Sequence, residues 1–214
     1  MVGAMASLRE AFILAEISDV KKVRKDIENG WLTRSVISDN RRLWFRWPDV
    51  ILLGAVYRNH HLTGALRKRV LERVKEVTFD CTSPDTTVVM AFSQTCWINV
   101  RKIYIDDCLY LDLEKVLDTI GPRVDLYREG LKKIEENSDV LGGEPVFRST
   151  RLSVLHIGKM FERGESLENI LEDYPYLEGD DVRFAQLYYR AHPAVGRPRV
   201  NAEAGDVFDE TAVG

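Results

Sequence analysis

The chain has 214 residues, 45% of them apolar and 30% charged, with a formal net charge of −4; this balance supports a buried core and excludes a disordered or fibrous protein, and the length suits one domain or two small ones. The longest uninterrupted apolar stretch, residues 50–57, is far shorter than the roughly 18 to 20 residues of a membrane span, and the N-terminus lacks a charged-then-apolar signal. A cytoplasmic protein with no membrane partner is expected.

In chain order, Leu8, Ala11, Phe12 and Ala15 recur at i, i+3, i+4 and i+7, which predicts a first helix of about two turns. Ser18 is placed to cap a second helix with Val20, Val23 and Ile27 inward, and Gly30 is its C-terminal stop. Two short helices with a tight junction make a helix-turn-helix. Trp31-Leu32, a polar turn at Ser38-Asp39-Asn40 and Leu43-Trp44-Phe45 then read as a β-hairpin, in the position of a wing. Pro48 suits the first position of a third helix, which runs to about Asn59. Thr63 caps a fourth, with Leu66, Val70 and Val74 on one stripe and Arg67, Lys68, Arg69 and Arg73 on other, exposed faces.

The middle of the chain alternates strand and helix. Strands are expected at residues 87–92 and 97–105, with Asp106-Asp107 turning the second back into residues 108–111. Asp112 caps a helix carrying Leu113, Val116, Leu117 and Ile120, Gly121-Pro122 interrupts it, and a further helix with Val124, Tyr127, Leu131 and Ile134 serves as a connector. After the turn-rich Leu141-Gly-Gly-Glu-Pro come three helices. Ser153 and Ser166 cap the first two, Gly164 and Pro175 end them, and the third starts near Asp180 with Val182, Phe184, Leu187 and Tyr188 inward.

Charge is unevenly distributed along this layout. Residues 20–47 hold eight basic side chains against three acidic ones, and residues 58–75 hold six against one. Residues 165–181 hold seven carboxylates and no Lys or Arg, so phosphate would be repelled there. Such asymmetry points to two surfaces with two partners. DNA contact is assigned to Lys21, Lys22, Arg24 and Lys25 on the second helix, and to Arg34, Arg41, Arg42 and Arg46 on and beside the hairpin. Trp31, Trp44 and Trp47 are read as a small core beneath the hairpin, since a short domain needs bulky side chains to bury enough surface.

Catalytic and metal chemistry find little support. His60 and His61 are adjacent and so point to different sides of a helix, and His156 is read as packing at a helix start. Cys81, Cys96 and Cys108 are widely spaced and odd in number, which suits reduced cysteines in or near a core. The acidic carboxylates fall on caps and exposed helix faces, without the buried strand-end positions that fix a nuclease's metals. No enzyme activity, catalytic residue, metal ligand or cofactor is assigned.

Three motifs in order carry a resemblance: Leu141-Gly-Gly-Glu-Pro-Val-Phe-Arg-Ser-Thr-Arg-Leu-Ser-Val, Met160-Phe-Glu-Arg-Gly-Glu-Ser and Ile170-Leu-Glu-Asp-Tyr-Pro-Tyr-Leu. Over residues 137–192 they resemble family four-three-three of the domains of unknown function. The family pattern has glycine before Thr-Arg where this chain has Ser149, at a turn that glycine makes easily. Members with this longer layout resemble VapB-type antitoxins, and Gly196-Arg-Pro-Arg also fits them. The N-terminal residues, through Ala15-Glu16, the helix over 20–27, Asn29-Gly30 and residues 45–53, resemble the winged helix-turn-helix of MerR-type regulators.

The resemblance implies a mostly α protein with a small β element: a winged helix-turn-helix over 1–78, a strand and helix connector over 79–136, a three-helix antitoxin domain over 137–196, and a basic arm with an acidic, disordered tail over 197–214. It implies an antitoxin that inhibits a PIN-like ribonuclease toxin through Arg148, Arg151, Arg190, Arg197 and Arg199, and represses its own operon by binding operator DNA. A homodimer, or a higher hetero-oligomer with the toxin, is expected. The alternative is a stand-alone transcription regulator whose C-terminal unit dimerises or senses a ligand.

Overall fold

The computed structural model describes residues 5–32, 36–39, 42–58, 62–80 and 102–193. Arg34, Arg41, His60, His61, Cys81, Cys96, Arg197, Arg199 and the strand expected at 87–92 lie outside the described residues. The fold is mostly helical with small antiparallel strand pairs, as expected. Among the described residues no helix is long and apolar enough to cross a membrane.

A short strand, β1 (Ala6–Ser7), leads into α1 (Leu8–Leu14) through a capping box. The Ser7 hydroxyl accepts the Glu10 N–H, and the Glu10 carboxylate accepts the Ser7 N–H at 2.6 Å. The next helix, α2 (Val20–Glu28), begins one residue later than Ser18 would place it. Its cap is Asp19, which accepts the Lys22 N–H at 3.1 Å. A carboxylate satisfies the helix's orphan donors and its positive end together. Gly30 ends α2 with φ 73, the left-handed turn that glycine adopts without penalty.

The hairpin forms as β2 (Val36–Asp39) and β3 (Arg42–Phe45), with Ile37 opposite Trp44. β1 pairs with the other edge of β3, Ala6 opposite Phe45, so the sheet order is β1-β3-β2. Then α3 (Trp47–Tyr57) runs through the core, with Val50, Ile51, Leu53 and Val56 almost fully buried. It is followed by α4 (Gly64–Asp80), capped by the Thr63 hydroxyl. A second hairpin, β4 (Lys102–Tyr104) with β5 (Tyr110–Asp112), packs on α4. Cys108 lies exposed in its turn, a correction to the core reading.

The break expected at Gly121-Pro122 does not occur: α5 (Glu114–Lys132) is continuous with Pro122 inside it. A proline normally clashes with the Cβ of the preceding residue, and Gly121 has none. The lost hydrogen bond lies on an exposed stretch, and its cost of about 3 kcal/mol is offset by burial. Ile120, Val124 and Tyr127 on the opposite face are all fully buried, at roughly 1.5 to 3 kcal/mol each for large apolar side chains. Beside the proline, Arg123 pairs with Glu16 and donates to the Ile13 carbonyl at 3.0 Å, while Arg58 meets Glu16 at 2.9 Å. The Arg123 bonds dock α5 on the turn between α1 and α2, and Arg58 ties the end of α3 to the same turn.

The C-terminal part pairs β6 (Ile134–Glu135) with β7 (Val146–Phe147), then runs α6 (Val154–Glu162), α7 (Leu167–Asp173) and α8 (Gly179–Ala191). Ser153 and Ser166 cap α6 and α7 by accepting the His156 and Asn169 N–H groups at 3.2 and 3.1 Å, as expected. Ser149 does adopt the left-handed turn, with φ 60. The next residue holds it there, since both the N–H and the hydroxyl of Thr150 donate to the Phe147 carbonyl. A serine in this conformation costs roughly 1 to 2 kcal/mol, and glycine loses part of that advantage to unfolded-state entropy. Ser149→Gly is therefore expected to stabilise the protein by up to about 1 kcal/mol in urea denaturation.

The Tyr127 ring sits where four helices meet. It is fully buried against Trp47 of α3 and Phe184 and Tyr188 of α8, with centroids 6.2, 5.5 and 6.3 Å away. Its hydroxyl donates to Glu10 of α1 at 2.7 Å. Burial, and then the Glu10 carboxylate, push this phenol well above its ordinary range. One buried apolar cluster thus extends from Ala6 to Tyr188.

Candidate nucleic-acid interface

The site is built on α2. Its inward side chains are Val23 and Asp26, both fully buried. Lys21, Arg24, Lys25 and Glu28 fall at i, i+3, i+4 and i+7, and all four are exposed. The structure therefore brings Lys21, Arg24 and Lys25 onto one solvent face. Lys22 stands apart from them: its ammonium lies 3.3 Å from Asp19, in the cap. The Lys22 N–H is the main cause that holds the Asp19 carboxyl below the usual carboxylate range.

A buried ion pair fixes how α2 is rotated. Arg67 of α4 grips Asp26 with two guanidinium nitrogens, the Nη2 contact being 3.2 Å, and its Nη1 donates to the Leu62 carbonyl at 3.3 Å. The Tyr57 hydroxyl of α3 donates to the same carboxylate at 2.8 Å. Hydrogen bonding to Asp26 raises Arg67 above its ordinary pKa; burial, and then Asp26, do the same for Tyr57. This corrects the expectation for Arg67, which is 7% exposed rather than on a solvated face. Three helices are thus tied at one carboxylate, and the cationic face of α2 is turned away from them.

Arg42 lies on β3, where its backbone pairs with Asp39, and Arg34 and Arg41 lie outside the described residues. Arg46 precedes α3 and binds Asp49 with two nitrogens, the Nε contact at 2.8 Å, so it also pins the start of that helix. Of the three tryptophans read as a core, only Trp47 is buried. Trp31 and Trp44 are half-exposed, with the Lys68 ammonium 6.0 Å over the Trp31 ring.

The C-terminal arginines are divided. Arg148 donates to the Ile134 carbonyl at 3.3 Å and keeps an exposed side chain, and Arg151 is exposed. Arg190 of α8 is joined to Glu162 of α6 at 2.8 Å, and that hydrogen bond holds the Glu162 carboxyl below its usual range. Several acidic side chains are also engaged within the fold: Asp181 meets Lys133 at 2.7 Å, and Asp180 meets Arg183 at 2.9 Å. Among the described residues no group of three His, Cys, Asp or Glu is placed to hold a metal ion. His156 is exposed rather than packed, with its Nε2 3.5 Å from the Tyr174 hydroxyl.

Sequence reading missed Asp26 and Glu10 as buried groups. The available signal was positional: Asp26 falls three residues after inward Val23, and Glu10 sits beside Ala11 on the apolar side of α1. A carboxylate on an apolar stripe demands a partner, here Arg67 and Tyr127.

Known proteins match part of this chain. The uncharacterized protein y4eO of Sinorhizobium fredii is 34% identical over 92 residues, which is 43% of this chain. The chain spans 42% of that relative's own length. No solved structure matches. The family model described as "Protein of unknown function (DUF433)" matches residues 134–189, the segment from β6 through most of α8, in agreement with the resemblance read over 137–192.

Proposed function

We propose that the protein is a DNA-binding antitoxin: it binds and inhibits a PIN-like ribonuclease toxin and represses its own operon. The observation that carries the DNA part is the single exposed face of α2 with Lys21, Arg24 and Lys25, held in one orientation by the buried Asp26–Arg67 pair. A short cationic helix after a tight turn, followed by a hairpin, suits entry into a major groove with phosphate contacts at its edges. On this reading residues 1–78 form a winged helix-turn-helix, and Arg34, Arg41, Arg42 and Arg46 add backbone contacts.

The toxin part rests on the motif resemblance and on chemistry. A PIN-like nuclease holds its divalent metal with clustered carboxylates, which attract a guanidinium that bridges two of them. Arg197 or Arg199 on the arm is proposed to take the metal's place, with Arg148 and Arg151 at the docking surface. Co-expression with the adjacent open reading frame tests this. Growth rescue and a co-purifying complex support it; unrelieved toxicity with no complex refutes it. Arg190, joined to Glu162 within the fold, is left out of this docking surface.

A further inference from the structure

A groove of about 660 Å³ opens beside α2, between the start of α1, β3 and the end of α8. Leu8, Ile27 and Trp44 form an apolar floor. Arg9 and Arg24 stand at the rim against one carboxylate, Glu28, and neither guanidinium has an ion-pair partner among the described residues. His192 also lines the groove, its ring stacked on Tyr188 with centroids 4.1 Å apart. The described chain ends at the next residue, Pro193, so the C-terminal residues depart from the groove's own edge.

These residues have the complementary chemistry. Residues 203–210 read Glu-Ala-Gly-Asp-Val-Phe-Asp-Glu, an apolar pair flanked by carboxylates with no basic residue. Phe208 is fifteen positions beyond Pro193, a length that reaches up to about 50 Å, so the tether does not limit return to the groove. A preformed apolar floor with a cationic rim is complementary to a segment of this composition. We propose that residues 203–210 dock in this groove, with Val207 and Phe208 on the floor at Leu8, Ile27 and Trp44, and with Asp206, Asp209 and Glu210 facing Arg9 and Arg24. Docking itself does not depend on the DNA reading. On that reading it adds a regulatory contact, because Arg24 belongs to the cationic face of α2 and the tail competes for it with phosphate.

The test uses the full chain and a fluorescein-labelled peptide of residues 202–214, followed by anisotropy. The quadruple tail variant D206N/F208A/D209N/E210Q vacates its own groove and is expected to bind the peptide at least tenfold tighter than the unaltered chain. Adding R9E and R24E to that variant is expected to weaken the peptide at least tenfold, while thermal melting stays unchanged because both side chains are exposed. Should these reversals impair folding, R9Q and R24Q provide the same comparison. No binding to the tail variant, equal binding to the unaltered chain, or indifference to the arginine changes overturns the proposal. Concentration-dependent dimerisation that is lost in R9E/R24E, without peptide binding, would assign the groove to a second copy and overturn it equally. No DNA enters the measurement, so its failure is separate from failure of operator binding.

Discussion

Arg67→Ala is expected to destabilise the protein by about 3 to 5 kcal/mol, because it leaves the fully buried Asp26 carboxylate without its counter-charge. Among the described residues Tyr57 alone remains to donate to it, and one neutral hydroxyl does not replace a bidentate guanidinium. For a domain of this size each kcal/mol moves the melting temperature by roughly 2 to 4 °C, so a fall of about 6 to 20 °C should appear in a thermal melt. Asp26→Ala should cost a similar amount by stranding the arginine. The double variant Asp26→Ala/Arg67→Ala should lose much less than the sum of the two. An exposed pair such as Lys68 with Glu72, at 3.7 Å on α4, provides the contrast: it is worth about 0 to 1 kcal/mol, and Glu72→Ala should barely move the melt.

Gly158→Ala should also be costly, and its reason is steric. The α6 and α8 backbones touch at this residue: an added Cβ would lie 2.1 Å from the Ala185 carbonyl oxygen and 2.7 Å from Tyr189 Cβ. The first of these is backbone and has no rotamer to yield. The two helices must separate, which loosens Ile157 and Ala185 in the buried layer. Alanine's helix propensity returns about 1 kcal/mol, whereas overpacking costs about 1 to 3 kcal/mol and more where backbone must move, so the net sign is destabilising. Urea titration of both variants checks this: Gly158→Ala should lose stability, whereas Gly64→Ala, which meets nothing within 4 Å, should be neutral or slightly stabilising.

Local signals made most of the helices legible. Ser153, Ser166, Gly30 and Gly164 are punctuation whose geometry is set by their own neighbours, and each falls where the apolar spacing places it. Gly121-Pro122 misleads because the usual rule treats the pair as a stop, whereas the burial of Ile120, Val124 and Tyr127 outweighs one missing hydrogen bond. Arg67 misleads because a charge run looks solvated until its partner is known, and Asp26 lies 41 residues away in sequence. The cationic face of α2 was legible from helical spacing. Lys22 falls outside that i, i+3, i+4 set, and its place beside the cap follows from a helix start at Val20, a one-residue matter that periodicity does not resolve.

Whether α2 contacts phosphate is read from the salt dependence of binding to a duplex from upstream of the gene, comparing the unaltered chain with Lys21→Gln/Arg24→Gln/Lys25→Gln. These side chains are exposed and lie opposite the Asp26 anchor, so the variant should melt normally. If each contacts one phosphate, the slope of log affinity against log salt should fall by about 3, and affinity by on the order of 100-fold at 0.1 M salt. Adding Lys22→Gln should change little further. Neutralisation of the toxin should persist in the triple variant. A triple variant that binds with unchanged affinity and slope would contradict the assignment of α2 as the DNA-contacting helix.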